Sequence, residues 1–148
     1  RQKGMDVEIY HSSSIDGVVE PYNRDIARAR LDAGEVVVLT GGTGNPFFTT
    51  DTAACLRAIE LGVEAVLKAT SVDGVYSADP TKNKDAYRYE TVGISEILEK
   101  ELGVIDMTAA VLCKENNMPL QVVDSRTPGW MLKVIEGDPV GTTVHPHD

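Results

Sequence analysis

The sequence predicts an α/β domain built on a largely parallel sheet. Three observations carry that expectation. Strand-like and helix-like segments alternate along the chain, the pattern that βα units impose. The run Val36-Val37-Val38-Leu39 is continuously apolar, as in a strand covered on both faces. Cap residues and stop glycines punctuate the segments at helix-sized intervals.

The elements follow in order. Arg1, Gln2 and Lys3 before Gly4 read as the last turn of a helix with its closing glycine, so the sequence begins in mid-unit. Val7–His11 alternates like a strand. Asn23 caps a helix over Arg24–Ala33 that Gly34 closes, and Val36–Leu39 is the next strand. Gly41 to Thr49 is a loop, Asp51–Leu61 a helix stopped by Gly62, and Val66-Leu67 marks a buried strand. Asp73-Gly74 and Asp79-Pro80 are turn signals, and Lys82 to Ala86 is a polar loop. A short helix runs from Ser95 through Leu102, and Asp106 caps another through about Asn116. Leu120–Val123 is a strand, Gly129–Ile135 a helix and Thr142–Val144 a last short strand.

Composition narrows the function classes. At 148 residues the chain has the size of one domain, with ordinary apolar (42%) and charged (25%) content. A formal charge of −9 argues against a nucleic-acid or anionic-membrane surface, though not against one bound nucleotide. With no apolar run of membrane-spanning length and no signal-peptide pattern, the expected compartment is the cytoplasm. Cys55 and Cys113 fall in helical patterns without CxxC partners and read as small core residues. His145 and His147 flank Pro146 with no third ligand nearby in sequence, so no protein metal site is expected.

In an open parallel sheet, ligands bind beyond the carboxyl ends of the strands. Two loops at such positions carry candidate chemistry. The first, Gly41 to Asp51, has three glycines that permit close backbone approach, and Thr43, Asn45, Thr49 and Thr50 offer donors and acceptors. The helix after it would aim free N–H groups and a positive dipole end at the same space. The plainer alternative is a tight turn with Thr50 or Asp51 as N-cap. Phe47 and Phe48 weigh against it, because the chain's two phenylalanines stand side by side in a loop. The loop is neither a Walker A sequence nor a GxGxxG fingerprint. The second loop runs from Lys68 to Pro80. Thr70 leaves its strand end, Tyr76 offers a ring for stacking on a base, and Asp79 an acceptor. Each also has a structural reading, with Asp73-Gly74 and Asp79-Pro80 as turns and Tyr76 as packing.

The strings GTGNPFFTTDTAACLRAIE (Gly42–Glu60) and VLKATSVDGVYSADPTKNKDA (Val66–Ala86) resemble bacterial-type UMP kinases of the amino-acid-kinase family. LEKELGVIDMTAA and the closing GTTV also fit, so the likeness covers nearly all of the chain. Acetylglutamate, glutamate, carbamate and aspartate kinases do not carry the GTGNPFFTTD string in this form.

The resemblance implies a three-layer sandwich of the carbamate-kinase-like type, with a central, mainly parallel sheet between helical layers. It implies transfer of the γ-phosphoryl group of ATP to UMP, giving UDP and ADP, with Mg²⁺ bridging ATP phosphates. Thr43, Gly44, Asn45, Pro46, Phe47, Phe48, Thr49 and Thr50 match the UMP-binding segment. Thr70, Tyr76 and Asp79 match positions that hold ATP, and Asp51 matches an aspartate that organises catalytic lysines. Lys68 has no role by this likeness. The chain corresponds to the C-terminal, nucleotide-binding half of the family domain. The N-terminal lobe, with its phosphate-loop lysine, is outside it, so the fragment alone is expected to be inactive. A homohexamer built from dimers is implied, and a response to GTP is left open. The alternative is a non-catalytic nucleotide-binding or scaffolding subunit of the same fold. A kinase acting on an acyl phosphate acceptor fits the first loop poorly.

Overall fold

The computed structural model describes residues 4–147. The helix end read at Arg1–Lys3 lies outside the described residues. The chain divides into two compact units, Arg1–Gly62 and Val63–Asp148. Within the described residues no helix is long and apolar enough to cross a membrane.

The first unit holds β1 (Val7–His11), β2 (Glu20–Pro21), α1 (Arg24–Asp32), β3 (Val36–Thr40) and α2 (Thr50–Leu61). Its sheet has the order β2-β1-β3, with both pairings parallel. Val7 to His11 register with Val36 to Thr40. Asn23 caps α1 as expected, accepting from the N–H groups of Asp25 and Ile26 at 3.0 and 3.1 Å. Gly62 ends α2 in the left-handed region, φ 64°, which only glycine adopts cheaply. β2, only two residues long and polar, escaped the sequence reading because it shows no period.

One face of this sheet is covered. Tyr10 of β1 and Val37 and Leu39 of β3 gather with Ala27 and Leu31 of α1 and Leu61 of α2. The expectation that β3 is buried on both faces fails here. Side chains alternate across a strand, so Val36 and Val38 point away from that cluster and stay 43% and 39% exposed. The register partner of Val38, Ile9, is exposed as well.

α2 is tied to the rest of its unit by polar contacts. The Arg57 guanidinium lies 4.0 Å over the Tyr22 ring and bonds Glu60 at 2.7 Å. The Tyr22 hydroxyl donates to Glu60 at 3.1 Å, and Arg28 donates to the Leu61 carbonyl at 2.8 Å. Burial, then the Glu60 contact, pushes the Tyr22 phenol up from its ordinary value. These contacts fix the helix whose first turn adjoins the glycine loop.

The second unit holds β4 (Val66–Thr70), β5 (Thr91–Gly93), α3 (Ile94–Glu99), α4 (Met107–Glu115), β6 (Leu120–Asp124), α5 (Trp130–Glu136) and β7 (Thr142–His145). Sheet order is β4-β6-β7-β5. β4 pairs parallel with β6 and β5 with β7, while β6 and β7 run antiparallel. The α/β class with mainly parallel pairing is therefore what the chain forms. β6 is covered on both faces: Val122 and Val123, on opposite sides, are 0% and 1% exposed. Ile94, Ala109, Ala110, Leu120 and Val144 complete this core, and Cys113 is buried in it; Cys55 of α2 is buried in the first unit. Asp106 caps α4 through the N–H of Ala109. β5 was missed in the sequence, being three residues that end in glycine.

Candidate functional site

The glycine loop leaves β3 at Thr40 and turns against the carboxyl end of β1. Gly41 (φ 78°) and Gly44 (φ 76°) back onto His11 and Ser12. A Cβ at Gly41 would lie 2.4 Å from the Ser12 hydroxyl, and one at Gly44 would lie 3.1 Å from the Ser12 Cβ. Position 41 thus favours glycine for its conformation, and a Cβ there would push the His11 and Ser12 side chains aside. Ser12 N–H donates to Thr40 O at 3.0 Å, joining the two strand ends. His11 and Ser12 were not singled out from sequence; their position at a strand's carboxyl end was the available signal.

Within the loop, Thr43 and Asn45 bond with one another. The Asn45 N–H donates to Thr43 Oγ at 3.1 Å, and the Asn45 amide donates to Thr43 O at 3.3 Å. Phe47 sits at φ 69°, a left-handed conformation unusual for a bulky residue, and is fully exposed. Phe48 is 52% exposed. A self-contained turn has no use for an aromatic pair held out in water, one of them in a strained conformation.

The start of α2 corrects one expectation. Thr49, and neither Thr50 nor Asp51, is the N-cap: its hydroxyl accepts from the N–H groups of Asp51 (3.1 Å) and Thr52 (3.2 Å). Two donors expected to face a ligand are therefore already capped. Asp51, half-buried in the first turn, keeps its carboxylate at the positive end of the helix.

The second loop leaves β4 at Thr70, whose carbonyl accepts from Ser125 N–H (2.9 Å) and Ser125 Oγ (3.1 Å). Thr70 registers with Asp124 at the end of β6, where Arg126 holds the Asp124 carboxyl below its ordinary range. Residues 75–77 and 87–89 then form an antiparallel excursion. Ser77 N–H donates to Tyr87 O at 2.9 Å and Tyr89 N–H to Val75 O at 2.8 Å. Asp79 shapes its tip: Oδ1 accepts from Thr81 N–H (2.9 Å) and Thr81 Oγ (2.6 Å), and its backbone oxygen accepts from Lys82 and Asn83. The Thr81 bonds hold the Asp79 carboxyl below its ordinary value. Tyr76 is half-buried, and its hydroxyl donates to Asp73 Oδ1 at 2.9 Å, which raises the phenol's pKa. Asp79 and Tyr76 thus fill the structural roles read for them; both remain in the loop assigned to nucleotide.

Beside this loop lies a cleft of about 240 Å³, lined among others by Asp73, Arg88, Asp124, Thr127, Trp130 and Lys133. It opens at the carboxyl end of β6, where an α/β sheet places its ligands. Two acidic and two basic side chains there balance in charge, and Trp130 adds an aromatic surface. Arg88 and Trp130 were not singled out from sequence.

A family model described as the amino acid kinase family matches residues 1–124. The chain is 57% identical over 128 residues to a uridylate kinase of Legionella pneumophila (strain Paris), covering 86% of this chain and 52% of that protein. It is 49% identical over 143 residues to a uridylate kinase of Acinetobacter baylyi, covering 97% and 59% respectively. The crystal structure of UMP kinase from Bacillus anthracis superimposes with a TM-score of 0.93 at 35% identity, over 97% of this chain and 59% of that one. The chain thus spans somewhat more than half the length of the relatives it matches. On the family match over most of its residues, the chain belongs to the amino acid kinase family.

Proposed function

We propose that this chain is the C-terminal, nucleotide-binding half of a UMP kinase, which moves the γ-phosphoryl group of ATP to UMP. The observation that carries the reading is the loop Gly42–Asp51, which joins the end of β3 to the start of α2. Its sequence likeness to uridylate kinases is supported by 57% identity to the Legionella protein. In this reading Thr43 to Thr50 hold UMP, and Asp51 organises lysines supplied by the remainder of the enzyme. Thr70, Tyr76 and Asp79 hold ATP.

The chemistry asks little covalent work of the protein. Phosphoryl transfer needs donor and acceptor held in line and charge neutralised on the moving group. Backbone approach at Gly41 to Gly44 suits an anionic acceptor. Mg²⁺ accompanying ATP would supply charge neutralisation on the transferred group. The enzyme would work in the cytoplasm as a homohexamer.

The test is a chimera in which the preceding segment of the Legionella relative is joined to this chain. UMP should be phosphorylated well and CMP poorly, because a site that hydrogen-bonds one base edge leaves buried groups unpaired with another. The 148-residue chain alone should show no turnover. Equal kcat/KM for UMP and CMP would remove the substrate assignment. A folded chimera without turnover would favour a non-catalytic nucleotide-binding subunit.

A further inference from the structure

The loop assigned to ATP is fastened by two residues from outside it. Thr142, the first residue of β7, is 0% exposed. Its hydroxyl accepts from Val75 N–H at 2.9 Å and donates to Tyr89 O at 2.6 Å, so both capacities of a buried hydroxyl are matched. Arg88 reaches over the same segment. Its Nη1 donates to the carbonyl of Asp73 at 2.9 Å and to that of Gly141 at 3.3 Å, and its Nε lies 3.9 Å from Asp73 Oδ2. The residue between the two fastenings is Gly74, at φ 155°. A Cβ there would stand 2.4 Å from Thr142 Oγ and 2.9 Å from Arg88 Cδ. The backbone is therefore drawn down onto both side chains as closely as a glycine allows.

We propose that Arg88 and Thr142 are positioning residues that clamp Asp73–Val75 and thereby aim the Tyr76 ring at the nucleotide. The proposal rests on the reading of this loop as the ATP loop. The chain of contacts is short. Thr142 fixes the N–H of Val75, which immediately precedes Tyr76, and Arg88 fixes Asp73, whose carboxylate holds the Tyr76 hydroxyl. Neither residue needs to touch ATP for its loss to be felt. Replacing the Thr142 hydroxyl by a methyl leaves a buried N–H and a part-buried carbonyl without this partner, and the loop must move to satisfy them.

The experiment measures MgATP dissociation constants and amide hydrogen exchange on the chimera with the Legionella segment and on three variants of it. Thr142→Val should raise the dissociation constant about tenfold, as expected when buried partners are stranded, and speed exchange at Val75 and Tyr76. Thr142→Ser keeps the hydroxyl and should stay within about twofold in both readouts. Arg88→Gln, at an exposed position, should weaken MgATP severalfold and speed the same amides while the melting temperature holds. If Thr142→Val does not fold, Arg88→Gln decides. Variants that melt lower yet bind MgATP like the parent would overturn the clamp and leave only a packing role. Weaker binding with unchanged exchange at Val75 and Tyr76 would overturn it too, in favour of direct contact by Arg88. A folded parent chimera that binds no MgATP would remove the nucleotide reading itself, and the clamp with it.

Discussion

In the stretch Gly41–Thr49 the side chains of Thr43 and Asn45 each bond the other residue's backbone, and Phe47 stands wholly in water. In Asp73–Asp79 the backbone is bonded instead to Thr142 and Arg88, 67 and 15 residues away in sequence. Both stretches follow a strand of a parallel pair and both press a glycine on side chains, Gly41 on Ser12 and Gly74 on Thr142, but the first loop's next glycine differs. Gly42 has φ 62° and open space where a Cβ would go, so it serves conformation alone. Gly74 serves close packing against a buried hydroxyl. A loop of the first kind can rearrange around a ligand at little cost, whereas one of the second kind presents a surface set in advance. That division fits the roles proposed for each loop, one that closes on UMP and one that receives ATP.

The largest effect that can break this comparison is on stability. Gly74→Ala forces a methyl into Thr142 and Arg88 from a backbone conformation that favours glycine, and should cost about 3 kcal/mol. Gly42→Ala meets nothing and should cost about 1 kcal/mol, the strain of a left-handed residue with a Cβ. Urea unfolding of both variants measures the difference. Similar losses would mean that the two loops are held alike.

Next in size is the split between rate and folding at the start of α2. Because Thr49 is the cap, Thr49→Ala should lower stability by about 1 kcal/mol. Asp51→Asn leaves that cap in place and should melt within a few degrees of its parent. In the chimera with the Legionella segment, Asp51→Asn should nevertheless lower kcat about 10²-fold, as when one electrostatic stabiliser is lost. Near-parental kcat would reduce Asp51 to a residue that merely complements the helix dipole.

How far the sequence foretold these differences depends on whether the deciding contact is local. Asn23 and Asp106 sit next to what they cap and were read correctly. At α2, Thr49, Thr50 and Asp51 are all competent caps in a row, and only backbone geometry selects Thr49. The run Val36–Leu39 is wholly apolar, whereas Leu120–Val123 carries a polar Gln121. Yet β6 is covered on both faces and β3 on one, because coverage belongs to the neighbours and not to the strand. β2 and β5 are too short to show a period. The first loop was singled out by its glycines and its adjacent phenylalanines, all within one stretch. Arg88 and Thr142 gave no such signal, since their partners lie far off in sequence.

The smallest expected effect concerns charge, and it sharpens the comparison because Asp79 is the residue whose turn lies at the tip of the clamped loop. The Thr81 hydroxyl and N–H stabilise the ionised carboxylate, so its pKa lies below the ordinary 3.8. The sign follows directly. A lowered folded-state pKa means the turn's stabilisation is complete above the ordinary value and is lost as pH falls through the lowered one. Between neutrality and mild acid Asp79 should stay ionised. Thr81→Ala removes the 2.6 Å hydroxyl bond and keeps the N–H bond, so the midpoint should rise toward 3.8 without reaching it. A carbon-detected titration of the Asp79 carboxyl in parent and variant reads both midpoints. If Asp79 also accepts from ATP, saturating MgATP should lower the parent's midpoint further, because a ligand that prefers the ionised form stabilises it. A midpoint indifferent to MgATP would confine Asp79 to shaping the turn and leave Tyr76 and Thr70 as the loop's contacts to nucleotide.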